Sequence, residues 1–128
     1  MYLRFIVVTP QARPHGLFRS DYHPRYDEKL PGWLRAPIEE HYAWFNDNLA
    51  KPRRFTIVSR RRHVYAGLCW FRAEASEHIA RARDLARLIA EAGQPTAMLK
   101  TRHPGQILYR DEHQIVAKPE SRTPASDR

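Results

Sequence analysis

One stretch of the sequence combines cations and aromatic rings in a pattern that could bind a polyanion. The residues predicted to form this site are Arg53, Arg54, Arg60, Arg61, Arg62, His63 and Tyr65. Guanidinium groups pair with phosphate oxygens and aromatic rings stack on nucleobases, so this composition is typical of a nucleic-acid surface. The chain carries a net charge of +8, yet it has no Asp or Glu between Leu49 and Ala73. The basicity therefore belongs mainly to one segment, which we place at residues 51–72.

The same segment has two other interpretations, which the sequence leaves open. The arginines could form a solvated turn whose surface ion pairs add little stability. They could instead face an acidic protein partner, with the chain acting as an adaptor or inhibitor. In that case the aromatics Tyr22, Tyr26 and Trp33 of the preceding loop would join the contact. We predict a non-catalytic protein that binds nucleic acid, with binding to an acidic protein as the alternative.

Catalytic chemistry has one further candidate. Asp111 and His113 flank Glu112 at a predicted hairpin turn, and His103 lies in the turn before it. A histidine–carboxylate pair can act in general acid–base catalysis, so a small hydrolase or nuclease is a second alternative. Turns ordinarily contain charged residues, however, and the sequence has no glycine-rich phosphate loop and no nucleophile motif. The sequence therefore favours a binding protein over an enzyme.

Metal, cofactor and membrane chemistry are not predicted. The seven histidines lack the paired spacings of zinc sites, and no HExxH or CxxC motif occurs. His78 falls on the apolar face of a predicted helix, where we expect a buried histidine with one hydrogen bond. Cys69 is the only cysteine and is expected to be an ordinary thiol, which fits a cytoplasmic protein. No apolar run is long enough to span a membrane.

Two helices are predicted to position these residues. The longest periodic segment runs from Leu68 to Gly93 and predicts an amphipathic helix of about seven turns. Its apolar face contains Leu68, Phe71, Ala75, Ile79, Ala82, Leu85, Ala86 and Ile89. A shorter helix is predicted from Pro37 to Leu49, with Pro37 in the first helical position. The long helix enters from the basic segment, so its start should lie next to the predicted site.

Strands are predicted at both ends of the chain. Tyr2 to Thr9 is apolar on both alternating faces, which favours an interior strand. The segments 96–101, 106–110 and 113–118 predict a meander of three short strands. The predicted fold class is therefore α+β, in the order β-α-α-β-β-β, with a small antiparallel or mixed sheet packed on two helices.

The remaining segments are predicted as irregular structure. Residues 10–37 contain several prolines and form a long loop, while residues 55–58 are a candidate short strand. The triple arginine at 60–62 is predicted to form an exposed turn. One domain is expected over residues 1–118, and the polar residues 119–128 are expected to be a disordered tail.

Four stretches carry a resemblance to a known group of proteins. They are YLRFIVV at Tyr2–Val8, WFNDNLAKPRRF at Trp44–Phe55, CWFRAEASEHIARARDLARLIAEAG at Cys69–Gly93 and MLKTRHPGQILYRDEHQIVAKP at Met98–Pro119. With its WFxxxxxxHI and PGxIxYxDExQIV motifs, the chain resembles a group of small, uncharacterised bacterial proteins. The resemblance implies a bacterial, soluble, stand-alone domain and carries no activity. The triple arginine is not part of it.

Overall fold

The computed structural model describes residues 1–8, 14–18, 28–51, 56–58 and 64–124. Within these ranges it contains two helices and eight strands. In chain order they are β1 (Tyr2–Val7), β2 (His15–Gly16), α1 (Gly32–Asn48), β3 (Thr56–Val58), β4 (Val64–Ala66), β5 (Leu68–Arg72), α2 (Ser76–Glu91), β6 (Thr96–Thr101), β7 (Gln106–Arg110) and β8 (Gln114–Lys118). In the part of the chain described, neither helix is long and apolar enough to cross a bilayer.

Six of the strands form one antiparallel sheet organised around β1. β6 pairs with β1 over its whole length, from Tyr2 opposite Thr101 to Val7 opposite Thr96. The other edge of β1 is shared, because β5 pairs with its beginning and β2 with its end. β8 lies beside β5, and β7 pairs with β8 as a hairpin. β3 and β4 form a separate two-stranded antiparallel sheet.

The predicted α+β class is confirmed, since an N-terminal strand and C-terminal strands form an antiparallel sheet with two helices. The pairing of the three C-terminal strands differs from a meander. β6 pairs with β1, whereas β7 and β8 pair with each other on the far side of β5. A strand that is apolar on both faces belongs in the interior of a sheet, and β6 covers the edge of β1 that β5 and β2 leave open.

The prediction that one helix starts at Leu68 is wrong. Leu68–Arg72 is strand β5, and α2 begins only at Ser76. The run Leu-Cys-Trp-Phe is apolar throughout, so it fits a buried strand as well as one face of a helix. Pairing with β1 and β8 stabilises the strand, and it places Trp70 and Phe71 on opposite faces of the sheet. From Ala75 onward the predicted apolar face is buried as expected.

The first helix also begins elsewhere than predicted. It spans Gly32–Asn48, so Pro37 lies inside it rather than at its first position. Leu34 is buried one turn before Ile38 and extends the apolar stripe of the helix. Burial of Leu34 offsets the hydrogen bond that Pro37 cannot donate.

Apolar side chains cover both faces of the sheet. On one face, Leu3, Phe5 and Val7 of β1 pack against the two helices in the larger core cluster. On the opposite face, a smaller cluster consists of Leu68, Trp70, Ile115 and Ala117. Because β5 contributes to both clusters, it is the strand that joins the two cores.

A polar contact links the two helices at their outer surface. His41 Nε2 donates to Asp84 Oδ2 over 2.7 Å, and Arg87 donates to the other carboxylate oxygen over 2.8 Å. The hydrogen bonds from Arg87 and then from His41 hold the pKa of Asp84 below its ordinary value. Arg87 also forms an ion pair with Glu91, at 2.9 Å. The hydrogen bond between His41 and Asp84 thus joins α1 to α2.

The described structure continues beyond β8 over residues 119–124, where Thr123 is buried. The prediction of a disordered tail over residues 119–128 stays a prediction. The backbone N–H of Thr123 donates to the Glu120 carbonyl, and the Thr123 hydroxyl accepts from the Glu120 N–H, both over 3.0 Å. A hydrogen-bonded turn thus follows β8 directly.

Candidate functional site

The basic segment contains the two paired strands β3 and β4 and the whole of β5. Most of its predicted site residues lie outside the described residues, namely Arg53, Arg54, Arg60, Arg61, Arg62 and His63. Tyr65 belongs to β4 and pairs with Ile57 of β3. Val58 pairs with Val64, and residues 59–63, which include the triple arginine, connect these two residues in the sequence. The predicted turn at 60–62 itself lies outside the described residues.

The β3–β4 hairpin joins the main sheet through one residue. β4 ends at Ala66 and β5 begins at Leu68, so only Gly67 separates the hairpin from the strand that joins the two cores. A side chain at Gly67 would overlap Val116 of β8. The hairpin is therefore coupled closely to β5 and β8 at its C-terminal end.

The N-terminal end of the basic segment is held by two hydrogen bonds. His78 Nε2 donates to the Asn48 carbonyl over 2.8 Å, and Gln114 Nε2 donates to the Ala50 carbonyl over 2.7 Å. Lys51 follows directly and opens the segment. We call the side chains that hold this exit from α1 the anchoring cluster, which consists of Cys69, His78, Asp111 and Gln114. Through them, α2 and β8 fix where the basic segment starts.

Asp111 organises the turn between β7 and β8, which contributes Asp111 and Gln114 to the anchoring cluster. Its Oδ1 accepts from the backbone N–H groups of His113 and Gln114, over 2.8 and 3.0 Å. Its Oδ2 accepts from Tyr109 Oη over 2.9 Å and from Gln114 Nε2 over 3.1 Å. Burial raises the pKa of Asp111, but these four hydrogen bonds together outweigh burial and leave the pKa below its ordinary value. The ionised carboxylate is therefore the form that the fold stabilises.

Replacing Asp111 by alanine is expected to lower the free energy of unfolding by about 2 kcal/mol at pH 7, because several hydrogen bonds to a charged acceptor are lost. A lowered pKa in the folded state stabilises the protein above the unfolded-state value of about 3.9. This contribution disappears as the pH falls through the folded-state pKa. The difference between wild type and variant should therefore shrink at pH 3, as measured by urea unfolding.

The exposed Asp47 of α1 provides the control for this measurement. Asp47→Ala should change the unfolding free energy by no more than about 0.5 kcal/mol at either pH. An Asp111→Ala effect that stays constant between pH 7 and pH 3 would contradict the role of the ionised carboxylate.

Cys69 supports the cluster as a hydrogen-bond donor. Its Sγ donates to Gln114 Oε1 over 2.9 Å, and this contact orients the amide so that Nε2 faces Ala50. Burial raises the pKa of the thiol to about 12, despite the opposing effect of the Arg4 charge. The thiol is thus protonated at neutral pH, in agreement with the prediction of an ordinary thiol rather than a nucleophile.

The structure brings together only two of the three residues of the catalytic alternative. Asp111 and His113 share one turn, but they are joined through the backbone N–H of His113. His103 lies in the β6–β7 connection, where it is exposed. Among the described residues, no hydrogen bond or ion pair joins the His103 side chain to Asp111 or His113.

Sequence reasoning did not predict the ring contacts beside the exit from α1. The rings of His78 and His113 stack with centroids 4.0 Å apart and 23° between their planes. Trp44 contacts His78 edge to face at 4.8 Å, and the Arg81 guanidinium lies 4.7 Å from the Trp44 ring centroid. His78 is buried with one hydrogen bond, as predicted. No sequence signal relates these residues, because they come from α1, α2 and the β7–β8 turn.

The described ranges contain no group of three or more His, Cys, Asp or Glu residues able to hold a metal ion.

Comparisons of the chain with known protein families, with curated proteins and with solved structures give no match. The resemblance to small bacterial proteins stays a prediction. Any function must therefore be argued from the geometry and charge of this chain.

Proposed function

We propose that the protein binds a polyanion, most readily nucleic acid, through the basic segment at residues 51–72. The observation that supports the proposal is the antiparallel pairing of β3 with β4 outside the six-stranded sheet. In the sequence, the triple arginine belongs to the segment that connects these two strands. A hairpin that is not part of the main sheet can present a row of cations without disturbing either core.

Charge distribution supports the same proposal. The segment contains Arg53, Arg54 and the triple arginine but has no carboxylate, so its positive field is not neutralised locally. The anchoring cluster holds Ala50, the residue before the segment, and the end of the segment is strand β5 of the main sheet. A binding segment held at both ends loses less conformational entropy on binding than a free tail would lose. The single free thiol fits a cytoplasmic location, which is part of the proposal.

A salt titration tests the proposal. Affinity for a fluorescent oligonucleotide would be measured by anisotropy across a salt series. If six cations neutralise phosphates, log K should fall against log salt with a slope of about −4 to −5. In the Arg60/Arg61/Arg62→Ala variant, loss of three contacts should reduce the slope by about 2 to 3 units and weaken binding at least about tenfold at low salt.

The matched control removes the same charge elsewhere. Arg83, Arg102 and Arg110 are exposed on α2, in the β6–β7 connection and on β7. Their triple alanine variant has the same net charge as the first, so it separates local contact from total charge. Equal losses of affinity in the two variants, or a flat response to salt in the wild type, would overturn the proposal.

A protein partner is a second candidate because one large aromatic residue is exposed. Trp33 at the start of α1 is 69% exposed, whereas Tyr22 and Tyr26 lie outside the described residues. Exposed tryptophans are frequent anchors in protein interfaces. Nuclease treatment separates the two candidates, since a complex held by nucleic acid dissociates under nuclease and a direct protein complex does not.

A further inference from the structure

We propose that the nucleic acid is single-stranded and that one unpaired base stacks on the outer face of His113. The inference rests on the proposed function, because the basic segment supplies the phosphate contacts that a single stacked base could not replace. We call the rings of Trp44, His78 and His113 the ring stack. The Arg81 guanidinium lies over the Trp44 ring. The stack begins beside the carbonyls of Asn48 and Ala50, where the basic segment starts.

The stack is closed on its inner side and open on its outer side. His78 is buried at 5% exposure and contacts the core rings of Phe45 and Phe71. His113 covers His78 with one face, yet its side chain keeps 36% exposure. Because His78 covers one ring face, we assign this exposure to the other ring face and the ring edges. A flat ligand would therefore extend an existing stack, without any rearrangement of the residues beneath it.

The packing beneath His113 makes it a fixed surface. Its ring rests on His78, which is held by Asn48, and its backbone N–H is held by Asp111. In addition, its carbonyl accepts from the Arg72 N–H over 2.9 Å. A ring constrained on one face and along its backbone loses little side-chain entropy when a base stacks on it.

Charges around the stack favour a base rather than a phosphate at this position. The Glu112 carboxylate lies 3.9 Å from His113 Nε2 and is 87% exposed. A phosphate beside this carboxylate would be repelled, whereas the face of a base carries no net charge. The cations that attract the backbone begin at exposed Lys51 and continue into the basic segment. The base and the backbone of a nucleotide would thus meet different groups, namely His113 and the cations that begin at Lys51.

Stacking on His113 requires a base whose face is free. In a duplex both faces of each internal base are covered by neighbouring pairs, while a single strand can splay a base onto an aromatic side chain. The ring stack therefore predicts a preference for single strands that the arginines alone would not produce. Sequence preference is expected to be weak, since every base has a stacking face.

Three ligands and two variants test the inference. The wild type, His113→Ala and His113→Phe would be titrated with a thymidine 12-mer, a 12-base-pair duplex and inorganic polyphosphate. We expect His113→Ala to bind the 12-mer about tenfold more weakly and to bind the duplex and polyphosphate as the wild type does. His113→Phe keeps a stacking face and should retain affinity for the 12-mer. Thermal unfolding would show that both variants fold.

Tryptophan fluorescence provides an independent readout. In a Trp33→Phe background the remaining tryptophans are Trp44 and the fully buried Trp70. Binding of the 12-mer should alter the emission of Trp44, and polyphosphate should not. Equal 12-mer affinity in wild type and His113→Ala, with binding still lost in the triple arginine variant, would overturn the inference and leave the proposed function intact. Absence of binding to all three ligands would overturn both.

Discussion

Replacing Gly105 by alanine is expected to destabilise the fold by about 4 kcal/mol or more, which is an exceptional effect for one methyl group. Gly105 has φ +109°, a conformation that L-residues with a side chain rarely adopt. A Cβ atom there would overlap the carbonyl oxygen of Lys118. It would also lie 2.8 Å from the Lys118 carbonyl carbon and 3.0 Å from Pro119 Cα. All of these are backbone atoms, so no side-chain rotation can relieve the overlap.

Gly93 supplies a matched control for this substitution. It has φ +103°, but a Cβ atom at Gly93 would meet nothing within 4 Å. Gly93→Ala should therefore cost only the backbone strain, about 1 to 2 kcal/mol. Urea unfolding of both variants separates strain from overlap. Equal costs at the two glycines would contradict the close approach of Gly105 to the end of β8.

The close approach at Gly105 explains why β6 and β7 occupy different parts of the sheet. The connection at 102–105 leads the chain from β6, beside β1, to β7, beside β8. Gly105 lets this connection pass directly against the end of β8. The other end of β8 carries Gln114, so the glycine contact and the anchoring cluster lie at opposite ends of one strand.

Local signals in the sequence were sufficient for several elements. β1 is apolar at successive positions, and its side chains are buried on both faces of the sheet. One edge of β1 pairs with β6, and the other pairs with β5 and β2. The 3.6-residue period identifies the buried face of α2 from Ala75 onward. β6, β7 and β8 are each bounded by turn residues. These features depend on neighbours in the sequence, so one sequence is enough to predict them.

β5 could not be distinguished from helix by local pattern alone. Leu68, Trp70 and Phe71 are all buried, so the run has no polar position to reveal a two-residue alternation. The conformation of β5 is determined by the strands that pair with it. Phe71 lies opposite Leu3 of β1 and Gln114 of β8, both distant in sequence. The prediction therefore failed where tertiary pairing, rather than local preference, selects the conformation.

The candidate site shows the same division. Composition identifies the basic segment because charge is a property of residue type alone. The groups that position it are found only in three dimensions, since His78 and Gln114 are separated in sequence from the carbonyls of Asn48 and Ala50. His78 was correctly predicted as buried with one hydrogen bond, but its partner was not predictable. A function that combines the basic segment with His113 depends on these two hydrogen bonds, because they hold the chain that leads into the segment.

Replacing Trp70 by alanine is expected to cost about 3 to 5 kcal/mol of unfolding free energy. Trp70 has 0% exposure and lies directly opposite Ile115 in the β5–β8 pairing. With Leu68 and Ala117 it fills the core on the face of the sheet away from the helices. Removal of the indole would leave a cavity between strands that backbone hydrogen bonds hold in place, so the surrounding residues could collapse only in part.

Trp70→Phe is the informative control, because the indole has a feature that opposes its burial. Among the described residues, its buried Nε1–H has no hydrogen-bond partner, and an unsatisfied buried donor costs about 1 to 3 kcal/mol. Phenylalanine removes this donor and keeps most of the apolar ring, so we expect a net loss of no more than about 1.5 kcal/mol. Urea unfolding of both variants measures the difference.

If Trp70→Phe were as destabilising as Trp70→Ala, the indole N–H would have to form a hydrogen bond in solution, and polar solvation would reach the second core. If both substitutions destabilised the fold only mildly, packing of the Trp70 cluster would not be what holds β5 against β8. The β3–β4 hairpin, which leads into β5 through Gly67, would then lack the rigid support that the proposed binding site needs.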